Sequence, residues 1–280
     1  GHGHLREPND IESYAALACI AIQSNQNDQH GGQSVPNFDY GMAPGVRKSY
    51  KKMYWMNVGK MLNILHDIED GVEKIKALGK QIEEEHGVTP CMAWDNNYQE
   101  IELEELKKFI SEEEARKIQE KAVKYANKEI RRKTHQAMEA FIHNLNTMHS
   151  RAGAQVPFSS INYGTDTSPE GRLVVESVLQ ATEEGLGNGE TPIFPIQIFK
   201  VKEGVSFNPG DPNYDLFKMA CKVSAKRLFP NFSFLDAPFN KQYLVEGDPA
   251  TECAYMGCRT RVIGNVHDPS REIVNGRGNL

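Results

Sequence analysis

The sequence has no long apolar run, no excess of basic charge and no paired cysteines, and each absence removes a class of function. No stretch approaches the roughly 18 to 20 apolar residues needed to span a bilayer. Nothing at the start resembles a secretion signal, so the chain reads as cytoplasmic. With 32 Lys and Arg against 38 Asp and Glu, the formal net charge is -6 and the pI about 5.9. DNA and acidic membrane surfaces do not attract such a chain, although a local basic pocket for a nucleotide phosphate is compatible with it. The five cysteines, Cys19, Cys91, Cys221, Cys253 and Cys258, are scattered and form no C-x-x-C pair. That pattern argues against a disulfide framework and a complete zinc site, and no metal ligands are assigned.

What is present is an ordinary globular mixture, 39% hydrophobic and 25% charged over 280 residues, enough for one large domain or two small ones. Both ends, Gly1 and Leu280, read as cut from a longer chain. Ile11, Tyr14, Ala15, Ala18 and Ile22 recur at helical spacing after Asp10 and predict a helix to about Ser24. The polar stretch Asn25 to Ser34 cannot continue it, and Gly31-Gly32 suggests unusual dihedrals or close approach to a ligand. A helical pattern resumes from Val46 to about His86, interrupted at Gly59, Gly71 and Gly79. Glu100 to His149 reads as one or two long amphipathic helices, with the charges from Glu102 to Lys133 on a solvated face. Residues 1–150 are thus a mainly helical region.

The character changes at Arg151. Gln155 to Asn162 reads as a strand, and Gly164 to Pro169 as a turn in which Thr167 or Ser168 caps a helix from Pro169 to about Glu184. Ile193 to Val201 is a second strand, apolar enough to be buried on both faces. A helix follows Asn213 to about Leu228, then a strand from Asn231 to Leu235, then a strand-loop-strand region from Ala254 to Asn265. This alternation predicts a parallel sheet with crossover helices, so residues 151–280 are α/β.

Few residues stand out chemically. Cys258 lies between Gly257 and Arg259, a setting that can expose a thiol and lower its pKa, although a buried structural thiol is the commoner occupant. Gly276-Arg277-Gly278-Asn279 offers backbone N–H groups, a guanidinium and an amide to an anion, although such a run is more often a plain surface turn. Gly185 to Glu190 follows a helix where a phosphate-cradling loop would open one, so it reads as a connection. His2 and His4 alternate but lack an identifiable third ligand.

Several segments together resemble one family, the class III anaerobic ribonucleoside-triphosphate reductases. They are Leu145 to Phe158, Gly164 to Ser168, Gly210 to Asp215, Ala225 to Arg227, Met256 to Arg259 and Gly276 to Leu280, in family order over nearly the whole chain. The resemblance implies part of a ten-stranded α/β barrel made of two antiparallel five-stranded halves. A finger loop threads that barrel, and a helical region precedes it. It implies reduction of ribonucleoside triphosphates to deoxyribonucleoside triphosphates, started by a glycyl radical. Cys258 is the finger-loop cysteine whose thiyl radical takes the ribose 3′ hydrogen. Asn279 is the active-site asparagine that holds the ribose or the formate reductant. The helices from Leu5 to Ser34 and up to His149 fall in the region of the homodimer interface and nucleotide effector site. There Gln29, Gly31, Gly32 and Gln33 are the candidate effector residues, because glycine-rich backbone can wrap a triphosphate.

The family's other parts are expected outside this stretch: a second catalytic cysteine before Gly1, and a zinc site and the glycyl-radical loop after Leu280. So are any ATP-cone and the radical-SAM iron-sulfur activating enzyme that acts as partner. The chain alone is therefore expected not to turn over. Half a closed barrel leaves strand edges and apolar faces uncovered, so aggregation or poor order is expected near Ile193 to Val201 when it is made alone. Two other readings are weighed. A pyruvate formate-lyase relative would carry two adjacent loop cysteines, whereas Gly257 and Arg259 flank Cys258 here. The other is a nucleotide-binding or dimerisation module without catalysis.

Overall fold

A computed structural model describes residues 6–28, 31–149, 155–257 and 260–262. In chain order its elements are α1 (Ile11–Asp28), β1 (Gln33–Val35), α2 (Phe38–His66), α3 (Gly71–His86), α4 (Tyr98–Leu106), α5 (Glu112–Thr147), β2 (Ser159–Tyr163), α6 (Pro169–Glu184), β3 (Ile196–Val201), α7 (Tyr214–Arg227), β4 (Asn231–Phe234), α8 (Pro238–Lys241), β5 (Ala254–Met256) and β6 (Thr260–Val262). They form two compact units, one from Gly1–Ile11 with Pro44–Thr134 and one from Glu12–Ala43 with His135–Leu280. No helix among the described residues is long and apolar enough to cross a membrane.

The first unit is helical. Its glycines do something other than interrupt helices. Gly59 lies inside α2, where an added Cβ would come within 2.4 Å of the Val72 Cα; one on Gly71 would come within 2.4 Å of the Gly59 carbonyl. The α2 and α3 backbones therefore touch, and of Gly59, Gly71 and Gly79 only Gly71 marks a helix boundary. Gly79 faces the Trp55 indole in the same way, at 2.3 Å. α2 also starts earlier than expected, at Phe38, with Pro44 inside it. Gly59→Ala should destabilise this unit by about 1–3 kcal/mol, because overpacking against backbone has no flexible side chain to yield. Loss of hydrogen-exchange protection across α2 and α3 would show it, and unchanged protection would refute it.

The core of this unit is aromatic and polar together. Tyr50, Tyr54, Trp55 and Tyr98 are buried, with the Trp94 ring edge-on to Tyr54 at 5.0 Å. The Tyr54 hydroxyl donates to Glu102 Oε1 at 2.7 Å and Gln119 Nε2 donates to the same oxygen at 3.1 Å. Burial raises the Glu102 pKa, and these donors oppose the rise. Glu102 thus departs from the solvated face expected of its neighbours. Those neighbours do pair in solvent, as Arg116 with Glu112 at 3.1 Å and Lys117 with Glu113 at 2.7 Å.

The second unit holds a four-stranded sheet in the order β1-β2-β3-β4. All three pairings are parallel, with Ser34 opposite Ser160, Asn162 opposite Ile198 and Lys200 opposite Ser233. α6 and α7 are the crossovers, as the alternation predicts. The bounds of α6 match the expected ones, and Ser168 is its cap, its Oγ accepting from Gly171 N at 3.2 Å. One sheet face packs apolar and aromatic groups: Phe199 lies 6.0 Å from Tyr163, 6.0 Å from Phe217 on α7 and 6.2 Å from Phe232. On the same face Gln197 links the Tyr163 hydroxyl at 2.6 Å to Thr182 of α6 at 2.8 Å.

Two expectations change here. α1 runs on to Asp28, and the stretch after it contains β1, a strand the sequence did not announce. Strand β3 is flanked by β2 and β4; among the described strands of this sheet the outer ones are β1 and β4.

Candidate active site

Successive side chains of a strand point to opposite faces, so the register gives the sheet's second face directly: Ser34 on β1, Ser160 and Asn162 on β2, Lys200 on β3, Ser233 on β4. Ser160, Asn162 and Lys200 are fully buried. Buried polar groups persist where they have partners. For Asn162 and Ser160 the partners are in β5 and the residue after it, whereas the Ser233 hydroxyl has no hydrogen-bond partner among the described residues. Asn162 Oδ1 accepts from Tyr255 N at 2.9 Å, and its Nδ2 donates to Tyr255 O at 3.0 Å, Ser34 Oγ at 3.0 Å and Val35 O at 3.2 Å. Ser34 Oγ donates to the same Tyr255 carbonyl at 2.7 Å. Two residues on, just past the end of β5, Gly257 N donates to Ser160 Oγ at 2.8 Å. Gly257 has φ +62°, and an added Cβ would sit 3.4 Å from the Phe158 ring. β5 pairs antiparallel with β6.

A second polar cluster lies at the carboxyl ends of the strands, where α/β sheets bind ligands. Asp39 is fully buried; its Oδ2 accepts from Gly164 N at 2.9 Å and Asp166 N at 3.1 Å. Lys200 Nζ donates to Asn37 Oδ1 at 2.6 Å and reaches Glu252 Oε2 at 3.4 Å. Thr165 Oγ1 lies 2.9 and 2.8 Å from the two Glu252 carboxylate oxygens. Burial raises the Asp39 pKa, opposed by the Lys200 charge and the two backbone N–H donors. Burial likewise raises Tyr40. A crevice of about 190 Å³ opens beside this cluster, lined in part by Tyr40, Thr165, Thr167, Lys202, Glu246 and Glu252.

A family model described as anaerobic ribonucleoside-triphosphate reductase matches residues 1–280. The chain belongs to the anaerobic ribonucleoside-triphosphate reductase family. Relatives from several sources carry that name. The Haemophilus influenzae protein is 34% identical over 157 residues, 56% of this chain and 21% of its own length. The Enterobacteria phage T4 protein is 34% identical over 160 residues, 57% of this chain and 26% of its own length. The Escherichia coli protein is 32% identical over 157 residues, 56% of this chain and 21% of its own length. The matched stretch thus spans about a fifth to a quarter of these relatives.

Several reductase-like segments meet in space. Asn213, from the 210–215 segment, donates from Nδ2 to the carbonyls of Gly164 and Asp166, both at 2.9 Å. Asp215 pairs with Arg172 at 2.6 Å, which holds the Asp215 carboxyl below its usual range. Arg227 donates to the carbonyls of Glu183 at 2.9 Å and Gly189 at 2.8 Å, so the 185–190 loop is held as a connection.

Of the residues the family resemblance singles out, Cys258, Asn279 and Gln29 lie outside the described residues. Gly31 has φ +90° and no heavy atom within 4 Å of an added Cβ, whereas one on Gly32 would meet the Phe158 ring at 2.5 Å. Gln33 Nε2 donates to Ile22 O at 2.7 Å. Gly32 and Gln33 therefore lie at the entry to β1. Burial pushes Cys253 and Cys19 up to about 11. The grouping of metal-ligating atoms found among the described residues is His135, Glu139 and Glu184, with both carboxylates exposed. Sequence reading missed Ser160, Asn162, Lys200 and Asp39. For the first two the signal was available, because Ser160 and Asn162 alternate with Ile161 and Tyr163.

Proposed function

We propose that the full protein reduces ribonucleoside triphosphates to deoxyribonucleoside triphosphates anaerobically, with Cys258 as the hydrogen-abstracting thiol. The observation that carries this reading is the match of the family model across all 280 residues. The fastening of β5, the strand that leads into Cys258, supports it. A glycyl radical, supplied from outside this stretch, serves as acceptor for the hydrogen atom of the Cys258 S–H bond. The resulting thiyl takes the 3′ hydrogen of the ribose, re-forming S–H and leaving the radical on the sugar. Sulfur suits this exchange because its bond to hydrogen is weak enough to run in either direction. Asn279, whose amide both donates and accepts, orients the ribose or a formate reductant.

On this reading the four parallel strands are part of a ten-stranded barrel of two antiparallel five-stranded halves, with the polar sheet face inward and β5–β6 in the finger loop. Gln29, Gly31, Gly32 and Gln33 are proposed to contact a nucleotide effector near a homodimer interface. A radical-SAM activating enzyme is the proposed partner, and the cytoplasm the proposed compartment. No cysteine cluster forms among the described residues, so the family's zinc is assigned no ligand in them.

The full-length protein, activated without oxygen and given a ribonucleoside triphosphate with formate or a thiol reductant, should form the deoxynucleotide. A stable glycyl-radical signal without deoxynucleotide, together with acyl exchange from pyruvate, would instead favour the formate-lyase branch. Nucleotide binding with neither activity would favour a binding module.

A further inference from the structure

We propose that Ser34, Ser160 and Asn162 are positioning residues that set the depth and direction at which the chain enters Cys258. The inference rests on the reading of Cys258 as the radical thiol. A carboxamide presents a donor and an acceptor side by side, as a peptide group does. Asn162 uses both on a single residue, taking Tyr255 N and giving to Tyr255 O. It thereby acts as a one-residue stand-in for a neighbouring strand. One contact of this kind leaves β5 free to pivot. Ser160 removes that freedom by holding Gly257 N.

The two contacts run in opposite senses, 162 to 255 and 160 to 257, so β5 crosses the face antiparallel to β2. Two fixed points two residues apart determine both direction and register, since a slip of one residue would turn every side chain of β5 to its other face. Ser34 completes the hold by donating to the carbonyl that Asn162 also binds. The last anchored residue is Gly257, with φ +62°, and the next residue in the chain is Cys258.

These groups have a cheaper structural alternative. Apolar side chains would fill a buried sheet face without leaving any polar group to satisfy. Three hydroxyl or amide groups converging on two backbone residues immediately before the loop cysteine instead trade packing for placement. Hydrogen-atom transfer is steeply sensitive to donor–acceptor separation, so placement is what the chemistry needs.

The test uses the full-length enzyme, activated anaerobically, with Ser160→Ala and Asn162→Ala beside wild type and Cys258→Ala. Turnover per glycyl radical, counted by EPR, should fall about tenfold to a hundredfold, the scale on which a misplacement of about 1 Å acts. KM for the ribonucleoside triphosphate should stay within about twofold, since uniform binding is untouched. The 3′-deuterium isotope effect on kcat should be at least that of wild type, because the slowed step is the hydrogen transfer. Ser160→Ala deletes one oxygen and carries the test should Asn162→Ala give no folded protein. Unchanged turnover per radical, a fall matched by a rise in KM, or a fall with the isotope effect lost would each overturn the proposal. If Cys258→Ala still makes deoxynucleotide, the thiol assignment itself fails. If Cys258→Ala is dead while Ser160→Ala is normal, only the positioning role falls.

Discussion

In the full-length enzyme, Cys258→Ser should keep the glycyl-radical signal and lose deoxynucleotide formation by more than about a thousandfold, the scale on which removing a reacting group acts. The two side chains are nearly isosteric, so backbone contacts leading to the position, Asn162 to Tyr255 and Ser160 to Gly257, are unaltered. What changes is bond strength. A serine O–H bond is too strong to surrender hydrogen to a glycyl radical, and no sugar radical can follow. The EPR signal and the product assay must be read together: radical without product supports the assignment. Product at wild-type rate would move the abstracting thiol elsewhere and sink it.

Lys200→Met should produce the largest loss of stability. The ammonium is fully buried and touches Asn37 and Glu252, and its charge favours the ionised form of Asp39. Removing one partner strands buried carboxylates, which costs about 3–5 kcal/mol in comparable cases. The pH dependence has a definite sign. A buried carboxyl with a raised folded-state pKa binds its proton more tightly folded than unfolded, so its contribution is most favourable below the unfolded pKa and is lost as pH rises through the folded one. Asp39 is already raised, and loss of the lysine raises it further. The deficit of Lys200→Met should therefore be greatest near neutral pH and shrink towards about pH 5. Hydrogen exchange of the β2 and β3 amides in the full-length protein would measure it. A deficit that grows on acidification would mean that Asp39 does not carry it.

Much of the second unit was legible in sequence because its signals are local. Pro169 after Ser168 opens α6, Gly185 closes it, and helix-strand alternation implies parallel pairing. β1 was not legible. Gln33–Val35 is three residues long in a polar stretch and is a strand only because β2 offers it a parallel partner. Gly59 and Gly79 misled for the opposite reason: their meaning lies in what the neighbouring helix or ring requires, which no window of sequence contains. Glu102 looked like any charge on a helix until Tyr54 and Gln119 were placed around it. The alternation of Ser160 and Asn162 with Ile161 and Tyr163 was there to be read, but not that these two side chains meet the backbone of Tyr255 and Gly257, some 93 to 97 residues further along. Lys200, at the end of an apolar run, gave no local hint that it meets Asn37 and Glu252.

The pairing of β1 with β2 has a consequence for synthesis. Ser34 and Asn162, which meet across that pair, are 128 residues apart in the chain. At ribosomal speeds of about 5–20 residues per second, a separation of that order takes roughly 6 to 25 seconds to translate. For that interval β1 waits for β2, while the helices of residues 44–134 emerge between them. The face on which Ser34 and Asn162 meet is therefore completed only after those helices have been made.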